Sequence, residues 1–136
     1  MRLAPLLAVA AGSAIGGAAR YAVAIALASR STTFPAGTLT VNVAGAFVLG
    51  LVVRSLAEPG AAGGATTMTW LFLTVGVCGG FTTYSAFALD TVRMLQGAQA
   101  PRAALYMALS VGLTVLAVYA GLMAGFMALR LAGRAS

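Results

Sequence analysis

Gly79-Gly80-Phe81-Thr82-Thr83-Tyr84-Ser85-Ala86-Phe87 stands inside an uncharged stretch running from Pro59 to Leu89, long enough for a helix to cross a bilayer. These residues are poor material for a helix interior. Glycine costs conformational entropy there, and threonine is stiff at χ1 and can bond its own backbone instead. The stretch therefore predicts a helix broken near Gly79 to Thr83. In hydrocarbon, broken backbone survives only where it is buried in protein or lines a cavity, and the freed carbonyls become ion ligands or pathway walls. An ion site at membrane depth is the expectation.

Composition sets the surroundings of that break. With 61% hydrophobic and 7% charged residues and a mean hydropathy of +1.00, the chain is far from a soluble domain, in which about a quarter of residues are charged. The eight basic residues, all arginine, are scattered singly between apolar segments. They read as membrane-flanking anchors, and no nucleic-acid stripe is present. Four spans fit, over about residues 3–29, 36–56, 67–95 and 102–130, making residues 1–136 one all-α integral-membrane domain. Short links join them: Ser31-Thr32-Thr33-Phe34-Pro35, where Pro35 can open a helix; Glu58-Pro59-Gly60 with Gly63-Gly64; and Gln96 to Pro101. The N-terminus has the look of a signal peptide, but its apolar run is too long for one, and cleavage is not expected.

Four spans place Arg2, Arg54, Arg130 and Arg134 on one side and Arg20, Arg30, Arg93 and Arg102 on the other. Arginine bias normally sets orientation, so a balanced chain can insert both ways and pair as an antiparallel two-fold dimer. A single copy of four helices is also small to enclose a conduit with two mouths.

Several polar residues lie inside the spans. Asn42 is seven residues into the second span, with Thr38 four residues earlier on the same face. Asn42 can glue helices beside small residues such as Gly45 and Gly50, or offer its amide donors to an anion; spacing leaves both readings open. Tyr106, Ser110 and Thr114 form a hydroxyl stripe at four-residue steps, although such hydroxyls can also back-bond to carbonyls. Tyr84 and Phe87 share a face beyond the break, either as packing or as electropositive ring edges turned to an anion. Arg20 sits near one face of the hydrocarbon, as a snorkelling anchor or a vestibule charge. Asp90 is near the end of the third span and Glu58 is in a loop, so no carboxylate marks a span interior as proton-coupled cation transport would require. Cys78 is alone, a small packing residue, and no nucleophile–base pair supports enzyme chemistry.

Gly16-Gly17-Ala18-Ala19-Arg20-Tyr21, the segment from Gly37-Thr38 through Asn42 to Gly50, and Gly76-Val77-Cys78-Gly79-Gly80-Phe81-Thr82-Thr83-Tyr84-Ser85-Ala86-Phe87 together resemble the three signature blocks of the Fluc family of fluoride channels. The likeness covers all four spans in order. It implies a multi-pass protein of the plasma (inner) membrane, an antiparallel dual-topology homodimer with two fluoride pores. It also implies one structural sodium ion at the two-fold axis, held by backbone carbonyls of Gly79 and Thr82 from each subunit. Fluoride would pass Thr38, Asn42, Tyr84, Phe87, Tyr106, Ser110 and Thr114, with Arg20 at the vestibule. The family usually has Phe where this chain has Tyr84, and Ser where it has Thr114.

The ion chemistry agrees with the residues. Fluoride is strongly hydrated, so a selective path replaces water with close donors and lets the ion leave easily. With no carboxylate or nucleotide motif in the path, transport would be passive, exporting fluoride from the cytoplasm and reducing its toxicity. The competing class is a small dual-topology four-span drug or cation exporter, which needs a first-span carboxylate that this chain lacks. A structural accessory subunit, with every polar residue acting as packing glue, is a third.

The arginine balance predicts that reporters fused to the C-terminus give signal from both sides of the membrane, and that two or three arginines added at one end bias the chain to one orientation. A single native orientation would remove the dual-topology expectation.

Overall fold

A computed structural model of the chain describes residues 3–31, 34–56 and 67–135. Four helical spans are long and apolar enough to cross a membrane, so the chain is a multi-pass membrane protein. Helix α1 (Leu3–Ala26) is the first and α2 (Ala36–Ser55) the second. The third, Met68–Gln96, is compound. It starts as α3 (Met68–Trp70), widens into a π-helical stretch (Leu71–Cys78), tightens to α4 (Gly79–Phe81), breaks, and resumes as α5 (Tyr84–Gln96). Helix α6 (Ala100–Ala135) carries the fourth.

The break is narrower than the sequence predicts. Only Thr82 (φ −80°, ψ 159°) and Thr83 (φ −151°, ψ 110°) are extended, whereas Gly79 is helical (φ −64°, ψ −37°). Gly79 therefore does not use the conformational freedom of glycine, which corrects that expectation. Gly80 serves contact instead. A Cβ there would come within 2.6 Å of the Ser13 carbonyl oxygen, so the glycine lets α1 lie backbone to backbone against α4.

Helix α1 ends at Ala26, short of the expected span end, and a 3-10 turn (Ala28–Arg30) leads into Ser31 of the expected first link, whose Thr32 and Thr33 lie outside the described residues. The Ser31 hydroxyl donates to the Leu27 carbonyl at 2.9 Å and accepts from the Gly37 amide at 3.0 Å, tying the end of α1 to the start of α2. Pro35 immediately precedes α2, as its fixed φ favours. The expected link at Glu58-Pro59-Gly60 and Gly63-Gly64 lies outside the described residues. The third link is shorter than predicted, because Pro101 stands within the first turn of α6, where a missing N–H costs nothing. There the Ala98 and Gln99 amides bond back to Leu95 and Met94, closing α5 with Ala98 at a φ of 54°.

The spans pair crosswise. The π-helical stretch and α4 lie along α1, and α6 lies along α2. Lipid supplies no hydrophobic force between helices, so close packing of small residues must hold them. Gly12 and Gly16 of α1 face Gly76 and Gly80, and a Cβ on Gly16 would sit 2.7 Å from the Phe81 nitrogen. In the second pair a Cβ on Gly50 would meet the Leu122 nitrogen at 3.0 Å, and one on Gly121 the Leu51 nitrogen at 2.8 Å. Around these seams the core is small: Val41, Met94, Ala103 and Tyr106 are buried, with Phe34, Leu39 and Phe87 packed against the last three. Leu6, Ile15, Val115 and Leu116 are exposed, as side chains turned to lipid should be.

Gly121→Leu is expected to wedge α2 from α6 and remove the monodisperse peak from size-exclusion chromatography in mild detergent. Gly112→Leu, on the same helix with nothing within 4 Å of the added Cβ, should leave that peak intact.

Candidate functional site

The site is organised by Asn42. Its Oδ1 accepts the Thr83 amide at 2.7 Å and its Nδ2 donates to the Thr83 carbonyl at 3.0 Å, so the side chain grips both polar groups of one extended residue. In an unbroken helix the Thr83 N–H would point to the Gly79 carbonyl, and the Ala86 N–H to the Thr82 carbonyl. The first goes to Asn42. The second goes to the Thr83 hydroxyl at 3.1 Å, which caps α5. Thus the Gly79 and Thr82 carbonyls, like those of Gly80 and Phe81 between them, lose their ladder donors, while the Thr83 and Ala86 amides stay satisfied. Gly79 is exposed and Thr82 half-buried on the protomer surface.

Beside the break opens a groove of about 370 Å³, lined among others by Asn42, Tyr84, Phe87, Ser110 and Thr114. Thr114 gives its proton to the Ser110 carbonyl at 2.6 Å. Ser110 and Tyr106 differ: both hydroxyls are buried and neither makes a close, well-aligned hydrogen bond, although the Tyr106 phenol stands beside Ser110, Thr38 and Asp90. A buried polar group without a close partner is costly, on the order of 1–3 kcal/mol, so these two hydroxyls call for a water, an ion or a closer contact with their neighbours. Four rings run alongside. Phe34 meets Tyr106 edge-on (5.5 Å, 88°), Tyr106 lies 5.3 Å from Phe87, and Phe87 lies 5.5 Å from Tyr84. Tyr84 is 80% exposed in the single protomer.

Past Tyr106 the polar line continues. The phenol neighbours Thr38, Asp90 and Ser110, and the Thr38 hydroxyl donates to Asp90 Oδ2 at 2.7 Å. Thr38 and Asp90 border a second cleft of about 380 Å³ together with Arg93, Phe34 and Gln99. A third cleft, about 290 Å³, holds Arg20 and Tyr21 and is bounded by Thr38 and Thr83. The structure thus brings Asn42, Tyr84, Phe87, Ser110 and Thr114 around one groove, sets Tyr106 between Phe87 and the Thr38–Asp90 pair, and places Arg20 in a cleft that shares Thr38.

Two residues of this site escaped the sequence reading. The expectation of a path without a carboxylate is corrected by Asp90, which is bonded to Thr38 and stands beside Tyr106 within the third span; it lies three residues beyond Phe87 and so on the same face of α5, and that spacing is the available signal. Thr83 was read only as a helix breaker. It is also the cap of α5 and the anchor of Asn42, a pairing across 41 residues that no local pattern announces.

Comparison with known proteins adds an independent finding. A family model described as CrcB-like protein, Camphor Resistance (CrcB), matches residues 7–122. A Cereibacter sphaeroides protein named Fluoride-specific ion channel FluC is 44% identical over 126 residues, covering 92% of this chain and 94% of its own. Proteins of the same name from Rhizobium meliloti and Caulobacter vibrioides are 42% and 44% identical over 118 and 120 residues, which is 86% and 87% of this chain and 92% of each relative.

Asn42→Asp would keep an acceptor for the Thr83 amide but lose the donor and set a carboxylate oxygen against the Thr83 carbonyl. The expected cost is about 1–3 kcal/mol, read as a lower thermal unfolding midpoint of the purified protein. An unchanged midpoint would mean that the amide does not hold the break.

Proposed function

The chain belongs to the CrcB-like family, and from that membership we propose that it is a passive, fluoride-selective channel of the plasma membrane that lets fluoride out of the cytoplasm and so reduces fluoride toxicity. The observation that carries this reading is the pair of buried hydroxyls, Tyr106 and Ser110, that make no close hydrogen bond of their own. Fluoride leaving water needs close hydrogen-bond donors. In this reading the donors offered to it are these two protons, the second amide hydrogen of Asn42 and the exposed Tyr84 hydroxyl. The protons of Thr38 and Thr114 go to Asp90 and to the Ser110 carbonyl, so these residues shape the path and orient its donors. Phe87 and Tyr84 supply ring edges, electropositive but without full charge, which assist entry without trapping the ion. Arg20 serves as the vestibule charge.

The functional unit in this proposal is an antiparallel homodimer of dual topology. The groove beside the break is open on the protomer, and Tyr84 is left largely uncovered; a second copy would complete the wall. A structural sodium ion on the two-fold axis belongs to the same reading. The Gly79 and Thr82 carbonyls fit it, being hard oxygen ligands whose ladder donors are engaged elsewhere. When bound, the cation would bridge the copies and neutralise the clustered carbonyl dipoles.

Liposomes holding the purified protein and loaded with fluoride should release it, as read by a fluoride electrode, when a potassium ionophore sets the potential, and should retain chloride. Phe87→Ile should lower that rate by at least roughly tenfold, a loss of about 1.4 kcal/mol of ion stabilisation. Tyr84→Phe should preserve or raise the rate. Absence of fluoride release from the wild type would overturn the assignment.

A further inference from the structure

We propose that Arg54, Arg130 and Phe126 form a phosphate-binding site at the end of the molecule where α2 and α6 finish, and that its ligand is the headgroup of an anionic membrane lipid. The guanidinium carbon of Arg130 lies 4.2 Å from the centroid of the Phe126 ring, and that of Arg54 lies 5.1 Å from the same centroid. One aromatic ring thus gathers two like charges that would otherwise move apart in water. The arrangement is built into the backbone. The stem of Arg54 rests on α6 in the notch at Gly125, where an added Cβ would stand 2.9 Å from the Arg54 Cβ and 3.1 Å from the Leu51 carbonyl oxygen.

Two planar guanidinium forks held on one ring match an oxyanion that can accept several hydrogen bonds, and phosphate is the common membrane group of that kind. Charge balance favours such a ligand. Asp90, the one acidic residue among the described residues, is bonded to Thr38 near the opposite end of α2, away from Arg54 and Arg130. Arg54 is half-buried and Arg130 exposed, which leaves the forks within reach. Both residues lie in the final turns of spanning helices, at headgroup depth, where a lipid phosphodiester is the nearest source and free inorganic phosphate the other. The site stands apart from the fluoride path, whose polar residues lie nearer the opposite ends of α2 and α6.

Native mass spectrometry of the purified wild type in detergent containing phosphatidylglycerol or phosphatidylcholine, with and without millimolar inorganic phosphate, tests this. Phosphatidylglycerol adducts should persist on the wild type, exceed those of phosphatidylcholine, and survive inorganic phosphate. Arg54→Gln with Arg130→Gln should weaken retention roughly tenfold to thirtyfold, since each basic residue near a membrane surface contributes roughly a fivefold step. Phe126→Leu keeps both charges and removes the shared ring; it should weaken retention by a smaller factor, and it serves as the readout if the double variant does not fold. Equal retention of phosphatidylglycerol by the wild type and these variants, equal retention of the two lipids by the wild type, or displacement by inorganic phosphate would overturn the lipid assignment.

Discussion

A transmembrane helix can be opened in hydrocarbon only if every backbone group it releases finds another partner, because no water is there to take its place. Asn42 and the Thr83 hydroxyl meet part of that requirement, engaging the Thr83 amide and carbonyl and the Ala86 amide in three hydrogen bonds between 2.7 and 3.1 Å, and leave the Gly79 and Thr82 carbonyls without their ladder donors. The rest of the molecule is arranged around this joint. Asn42 comes from α2, which is pressed onto α6 at Gly50 and Gly121. That seam fixes where Tyr106 and Ser110 stand relative to the break. The joint in turn sets the direction of α5, and with it the positions of Tyr84, Phe87 and Asp90.

Glycine does two kinds of work that look alike in sequence. Gly79 and Gly80 read as material for unwinding, and both are helical. Their neighbours show why: Gly80 lies against Ser13, while Gly79 has only the Thr74 carbonyl oxygen near its open side, at 3.8 Å. The disruption came instead from the two threonines that follow. Thr82 back-bonds to the Cys78 carbonyl at 3.0 Å and Thr83 turns its hydroxyl to the next helix. Both competitions are local, which is why composition alone could announce a break here.

Much else was legible for the same reason. Span lengths follow from bilayer thickness, and the shared faces of Thr38 with Asn42 and of Tyr84 with Phe87 follow from helical period. Helical period also aligns Tyr106, Ser110 and Thr114, yet it cannot say what becomes of each proton. The structure spends Thr114 on a carbonyl and leaves Ser110 without a close partner. Nor does spacing weigh the two readings of Asn42, because the clamp depends on a residue 41 positions away. The crosswise glycine seams and the wide π-helical turn are likewise tertiary. Each seam arises where two segments far apart in the chain, α1 with residues 71–81 and α2 with α6, approach at backbone distance.

Crosswise pairing also bears on how the chain is made. The first span packs on the third and the second on the fourth, so no two consecutive helices form a self-sufficient hairpin as they leave the ribosome. Asn42 enters the membrane well before Thr83 has been synthesised, and until then its amide lacks the groups it will grip. The closing of the joint therefore dates to a late moment in biogenesis, after the third span has arrived.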